Sequence, residues 1–219
     1  MKKILAVILV LLTMTGCTFV DYKSLSVDQT LNDALSKDIK LYNNTYDGYK
    51  LYIPRGLGIV EKNDYNLQIL YKDYVFYLYV DIVSYYHNIV TSFTPDNSKY
   101  YSKKVSRNNK SGSLEISEYD GMYYVVYNYN YSKIEALVDK NYLNDALLNM
   151  TYILSSVQYN RTVISTLMGE NVLNYKEENV DIFKSKGDRN NFLEALEKYD
   201  IYEEKEEKDQ DILDIDELE

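Results

Sequence analysis

The feature that most constrains the fold is a long stretch in which apolar and polar residues alternate with a period of two. It covers residues 41–139, and its strongest part is residues 74–83, where both alternating sets are mostly apolar or aromatic. Period-two alternation places successive side chains on opposite faces of a β-strand. A strand that is apolar on both faces is expected at the centre of a sheet and covered on both sides. The sequence therefore predicts a sheet with residues 74–83 at its centre.

Turn signals divide this stretch into short strands. Asp120-Gly121 has the composition of a tight hairpin turn, and Lys72-Asp73 is a second candidate. We interpret the polar residues 88–113 as a loop. The spacing of the remaining segments predicts an antiparallel sheet of five to seven strands.

Two helices are predicted at the ends of the alternating stretch. The first, residues 26–40, begins with Ser26 and Gln29, which have the spacing of a capping box. The second is longer and follows Asp139, which we interpret as its N-cap. A helix with so wide an apolar face must cover a sheet. That face comprises Leu143, Ala146, Leu147, Met150, Ile153, Leu154 and Val157.

Strands flanked by helices predict an α+β architecture with a C-terminal helix and an acidic tail. We expect one domain over residues 26–199, with a core at 26–160 and a helical extension at 161–199. The order of elements and the long closing helix resemble the Mog1/PsbP-like α/β sandwich, in which helices pack a curved antiparallel sheet. The resemblance implies a fold only, because one fold can carry unrelated functions.

The first residues predict export from the cytoplasm. Two lysines precede nine uninterrupted apolar residues, whereas a helix that spans a bilayer needs about 20. Residues 1–16 therefore have the pattern of a secretory signal peptide. The segment Met14-Thr15-Gly16-Cys17, with methionine in place of the usual leucine, resembles the lipobox of bacterial lipoproteins.

The lipobox resemblance implies a lipid anchor. In that family Cys17 carries a diacylglyceryl thioether, the chain is cleaved after Gly16, and the new N-terminus is often acylated as well. Two or three acyl chains hold a protein stably on a bilayer. We expect a protein on the extracytoplasmic face of the cell membrane, with residues 17–25 as a short tether. Loss of two lysines takes the formal charge from −10 to −12, so the domain is expected to stand off an anionic bilayer.

Catalytic and metal chemistry finds little support in the sequence. The single cysteine excludes a disulfide framework and a cysteine-based zinc site, and the single histidine, His87, excludes motifs that need two. Lys110-Ser111-Gly112 matches one element of the penicillin-interacting enzymes, but no serine is followed by lysine three positions later. The negative net charge argues against nucleic-acid binding. We therefore predict no enzymatic activity, no cofactor and no metal, and interpret His87 as structural.

The last twenty residues are strongly acidic. Residues 200–219 contain eleven acidic residues and two lysines, a charge of −9. Such a segment cannot bury enough apolar area to order itself, so a partly disordered tail is expected. Ile212, Ile215 and Leu218 recur at three-residue steps among the acids. Because acidic–apolar alternation is typical of segments that fold on a partner, these three are candidate partner-contact residues.

The sequence predicts a lipoprotein of binding or accessory type that interacts with another protein at the cell surface. The alternative is a lipoprotein that binds a small ligand or a carbohydrate through a tyrosine-rich sheet surface, since the chain has 26 tyrosines. Tyrosine rings can stack on sugars and are favoured at protein interfaces. Tyrosine is also a good strand former, and we interpret most of these residues as structural.

Overall fold

The architecture is α+β, as the alternating pattern predicted, and combines a seven-stranded antiparallel sheet with a three-stranded sheet and packing helices. The computed structural model describes residues 22–169, 176–178, 180 and 182–183. The chain divides into two units, Met1–Val180 and Asp181–Glu219. Of the second unit only Ile182 and Phe183 are described.

Ten strands and four α-helices occur among the described residues. The strands are β1 (Asn44–Tyr46), β2 (Tyr49–Leu51), β3 (Leu57–Asn63), β4 (Asn66–Tyr71), β5 (Tyr74–Val80), β6 (Tyr101–Arg107), β7 (Lys110–Tyr119), β8 (Met122–Tyr129), β9 (Ser132–Asp139) and β10 (Gln158–Tyr159). The helices are α1 (Val27–Ser36), α2 (Ile82–His87), α3 (Leu143–Ser156) and α4 (Arg161–Gly169). The large sheet has the order β3-β4-β5-β9-β8-β7-β6, and the small one β1-β2-β10.

Helix α1 starts with the predicted capping box. The Gln29 backbone N–H donates to Ser26 Oγ at 3.2 Å, and the Ser26 N–H donates to Gln29 Oε1 at 2.9 Å. Two backbone donors that a helix start leaves without partners are thereby satisfied. The helix ends at Ser36, four residues before the predicted end.

The core lies between helix α3 and one face of the large sheet, which we call the inner face. Helix α3 lies over β8 and β9, and α1 packs against α3. The apolar face predicted for α3 is buried from Leu143 to Leu154. Ile134, Ala136 and Val138 of β9 are fully buried opposite it. The apolar faces of residues 74–83 and of the long helix predict that the helix packs directly over that strand, but α3 is centred one strand away from β5, over β8 and β9.

The strand predicted at residues 74–83 ends earlier, at Val80. Asp81 Oδ1 accepts the Ser84 N–H at 2.8 Å, which makes Asp81 the N-cap of α2. The helix ends at His87, and the following residue, Asn88, caps it with a left-handed φ of 54°. The local capping interaction outweighs the apolar alternation that continues through Ile82 and Val83, because it satisfies a backbone donor at the new helix start.

The predicted loop at residues 88–113 is only half correct. Residues 88–100 contain no strand, but β6 and the start of β7 form a hairpin across the rest. Its turn is Asn108-Asn109, with φ of 51° and 61°, and asparagine tolerates this left-handed conformation. Strand β6 lies at the sheet edge with only Val105 buried, so it lacks the apolar alternation by which strands are recognised.

Two further predictions are wrong in detail. A short 3₁₀ turn, Lys140–Tyr142, separates Asp139 from α3, and Asp139 accepts a hydrogen bond from the Tyr74 hydroxyl instead of capping a helix. Strand β5 is buried on one face only, since its burial alternates between buried and half-buried. Its second face belongs to the side of the sheet opposite α3, which we call the outer face.

Candidate functional site

One continuous row of side chains crosses the outer face. The strand register places Tyr79 opposite Lys133, Lys133 opposite Asn128, Asn128 opposite Ser113 and Ser113 opposite Lys104. The row thus runs over β5, β9, β8, β7 and β6. Directly opposed residues in a sheet stand close enough for their side chains to interact. The Asn128 Nδ2 and Ser113 Oγ atoms, for instance, are 3.4 Å apart.

A cavity of about 460 Å³ lies over this row. Its floor is the five-residue row itself, and its walls include residues 89–93 and the ends of the β6–β7 and β8–β9 hairpins. Aromatic rings come from Tyr79, Phe93 and Tyr131, and polar groups from serines and asparagines of the strands. This volume falls in the usual range for small-molecule sites, about 300–1,000 Å³.

The β8–β9 turn at the end of the cavity is held by several contacts. Asn130 and Tyr131 both have left-handed φ, 54° and 57°. The Tyr159 hydroxyl lies 2.8 Å from the Asn130 carbonyl oxygen and 2.9 Å from that of Tyr131. The Tyr85 and Tyr159 rings stack with centroids 4.0 Å apart. The Asp81 N–H donates to the Tyr131 carbonyl at 2.9 Å, so this end of the cavity is a fixed wall.

Lys133 is the centre of charge in the cavity floor. Its Nζ lies 2.6 Å from Glu135 Oε1 and also pairs with Glu177. The Tyr124 hydroxyl donates to the other Glu135 oxygen at 2.9 Å. Burial alone would lower the pKa of Lys133, but the hydrogen bonds and charges of Glu135 and Glu177 outweigh it and raise that pKa. Lys133 is therefore a fixed ammonium held by two carboxylates.

A short segment, residues 176–178, crosses the outer face beside the cavity. Asn66 Nδ2 donates to the Lys176 carbonyl at 2.9 Å, and the Glu178 N–H donates to Asn66 Oδ1 at 3.1 Å. These contacts tie the segment to β4 and place Glu177 against Lys133. Glu177 thereby closes one side of the cavity.

The residues singled out in the sequence do not converge on this cavity. Cys17 and the tail residues Ile212, Ile215 and Leu218 lie outside the described residues. His87 is the last residue of α2, with its ring edge-on to Tyr86 at a centroid distance of 5.2 Å. Within the described residues, no group of three or more histidine, cysteine, aspartate or glutamate side chains is arranged to hold a metal ion.

Half of the ten tyrosines in the strands of the large sheet are core residues. The rings of Tyr71, Tyr74, Tyr123, Tyr127 and Tyr129 are buried, and Tyr127 is completely inaccessible. Of the tyrosines in the sheet region, Tyr79, Tyr129 and Tyr131 line the cavity. The tyrosines of the sheet region thus contribute both to the core and to the cavity lining.

Sequence reasoning missed the residues that form the cavity floor. Lys104 lies in the edge strand β6, which has no alternating pattern to detect. Lys133, Asn128 and Ser113 sit at polar positions of strands that are apolar on the other side. Their shared face could have been predicted from the alternation, but their order across the sheet depends on register.

Comparisons with known protein families, curated proteins and solved structures gave no match to this chain. The resemblance to the Mog1/PsbP-like sandwich therefore stays a prediction.

Proposed function

We propose that this protein is a lipid-anchored extracytoplasmic lipoprotein that binds a small polar ligand in the outer-face cavity. The observation that carries the proposal is the cavity of about 460 Å³ over a row of polar side chains. Ligand sites are concave, with aromatic surface and a few fixed polar groups that orient the ligand. The sequence predicts interaction with another protein first and ligand binding as the alternative. A concave surface favours ligand binding, because a sheet that docks a protein is expected to present a flat face.

The rigidity of the walls also supports the proposal. The turn that bears Asn130 and Tyr131 is held by Tyr159, and Lys133 is held by two carboxylates. A site whose groups are already ordered loses less conformational entropy when a ligand binds. The cavity is thus built before the ligand arrives.

The test is hydrogen–deuterium exchange on the full chain, purified in mild detergent and incubated with monosaccharides, amino acids, nucleosides or small carboxylic acids. A ligand is expected to slow exchange in residues 89–93 and in β8 and β9. Asn128→Leu removes a polar group from the cavity floor and should reduce this protection at the same ligand concentration. Gln68→Leu, the same kind of change on the outer face away from the cavity lining, should retain it. Protection by no compound class would refute the proposal.

The membrane anchor rests on the sequence around Cys17. Among the described residues, no helix is long and apolar enough to span a membrane. The acylated Cys17 would be the link to the bilayer, and two or three acyl chains suffice for stable attachment.

Replacing Cys17 by serine is expected to release the protein from the membrane fraction, because serine cannot form the thioether. Cell fractionation and the mobility of the processed chain measure the effect. Ser24→Ala, a small change outside the lipobox, is the matched control and should leave the protein in the membrane fraction. Unchanged retention and processing of the Cys17→Ser protein would rule out the anchor.

A second candidate function, contact with another extracytoplasmic protein, is favoured by the apolar residues of the acidic tail. Ile212, Ile215 and Leu218 have no role in a tail that merely aids solubility. A chain truncated after Tyr199 is expected to keep its thermal unfolding midpoint and to lose a partner that crosslinks to the full chain in intact cells. A truncated chain that unfolds, or that retains every crosslinked partner, would contradict this role.

A further inference from the structure

Five of the six charged residues that line the cavity are already engaged by other groups of the protein. The six comprise three cations and three anions. Lys133 pairs with Glu135 and Glu177. Glu115 forms an ion pair with Lys99, with 2.7 Å between Glu115 Oε1 and Lys99 Nζ. The lining as a whole is therefore electrically balanced.

Two of the remaining three charged groups, Lys110 and Asp81, are engaged as well. Lys110 Nζ donates to the Ser155 carbonyl at 2.7 Å, and burial lowers its pKa. Asp81 accepts the Ser84 N–H as the cap of α2. Lys104, the sixth, is an exposed side chain of the edge strand β6, and solvent exposure weakens the attraction between its charge and a ligand. A charged ligand would have to compete with these partners, since the ion pairs of Lys133 and Glu115 are partly buried and separating a partly buried pair leaves a charge without its partner.

The uncharged groups of the lining suit a neutral, hydroxyl-rich ligand. Serine hydroxyls and asparagine carboxamides each donate and accept hydrogen bonds, as sugar hydroxyls do. Asn128 and Ser113 stand side by side in the floor, 3.4 Å apart at their polar atoms. Tyr79 and Phe93 are half-buried rings of the same cavity, and aromatic rings offer apolar surface of defined geometry.

We infer that the cavity binds a neutral saccharide, a monosaccharide or a short oligosaccharide without acidic groups. This inference rests on the proposed ligand-binding function and specifies its ligand class. The paired charges fix the walls, the serines and asparagines read the hydroxyls, and the aromatic rings pack against the C–H surface of the sugar. Recognition thus comes from hydrogen bonds and shape, and not from net charge.

The experiment uses the full chain on an array of neutral and acidic oligosaccharides, followed by titration calorimetry with the best neutral sugar. Binding of neutral glycans is expected, with an affinity unchanged between roughly 0.1 M and 1 M salt, over which the Debye length falls from about 10 Å to about 3 Å. Asn128→Leu is expected to weaken binding by about tenfold or more, the effect of losing about 1.4 kcal/mol of hydrogen bonding. The Gln68→Leu control should bind as the natural chain does.

Asn128→Asp distinguishes neutral from charged ligands, because the two side chains have nearly the same shape. A neutral sugar should still bind to this variant within a few-fold, since a carboxylate accepts hydrogen bonds from hydroxyls. An acidic ligand should be repelled. Binding confined to acidic glycans, or an affinity that collapses with salt, would overturn the saccharide inference.

The outcomes for the two proposals are separable. Protection of the cavity by amino acids or nucleosides, with no binding on the glycan array, refutes the saccharide inference and leaves the ligand-binding function standing. Absence of protection by every compound class refutes both.

Discussion

Replacing Leu147 by alanine is expected to lower the free energy of unfolding by about 2–5 kcal/mol. Leu147 lies on α3 with none of its surface exposed, in the layer between the helix and the inner face. Truncation removes apolar contacts and leaves a cavity that the surrounding helix and strands can fill only in part. Urea denaturation, followed by circular dichroism, measures the loss.

An exposed leucine provides the control. Leu41 is 66% exposed, so Leu41→Ala should change the free energy of unfolding by no more than about 0.5 kcal/mol. Leu78→Ala, in the buried face of β5, should behave like Leu147→Ala. If Leu147→Ala unfolds at the same urea concentration as the natural chain, the core does not lie between α3 and the sheet.

Replacing Gly112 by alanine is expected to cost about 3 kcal/mol or more, because the added methyl group meets backbone and not a movable side chain. A Cβ at this position would stand 1.9 Å from the Asn128 carbonyl oxygen and 2.7 Å from Tyr129 Cα. Strands β7 and β8 would have to separate at the Gly112–Tyr129 pair. The hydrogen bonds between β7 and β8 near the cavity floor would then be lost.

Gly58→Ala is the matched variant for this experiment. Gly58 is also a strand glycine, but nothing lies within 4 Å of the position its Cβ would occupy. Alanine there should be neutral or stabilising by up to about 1 kcal/mol, since it restricts the unfolded chain. Equal unfolding midpoints for the two variants would contradict the close approach of β7 to β8.

The fold class could be predicted because the strongest signals are local. The capping box at Ser26, the turn at Asp120-Gly121 and the apolar face of α3 each follow from residues a few positions apart. The errors occurred where alternation and local capping conflict, as at Asp81. They also occurred at the sheet edge, where β6 buries one residue and has no alternating pattern to detect.

The cavity could not be predicted for a different reason. Its floor brings together Tyr79, Asn128 and Lys133, and the pairing of β5 with β9 that unites them is not encoded in the spacing of either strand. Register decides which polar residue faces which, and a shift by one residue would turn every side chain to the other face. Only the assembled sheet specifies this site.

The large sheet consists of two meanders, β3-β4-β5 and β6-β7-β8-β9, joined along a single seam between β5 and β9. Within each meander neighbouring strands are adjacent in sequence, whereas the seam pairs residues 77–80 with residues 132–135. Closing such a distant contact carries the loop entropy that slows folding. Tyr79 and Lys133, which face each other across the seam, both line the cavity. A molecule bound there would therefore contact both meanders across the β5–β9 pairing. We expect such contacts to stabilise this pairing, which among the described strands alone holds the two meanders in one sheet.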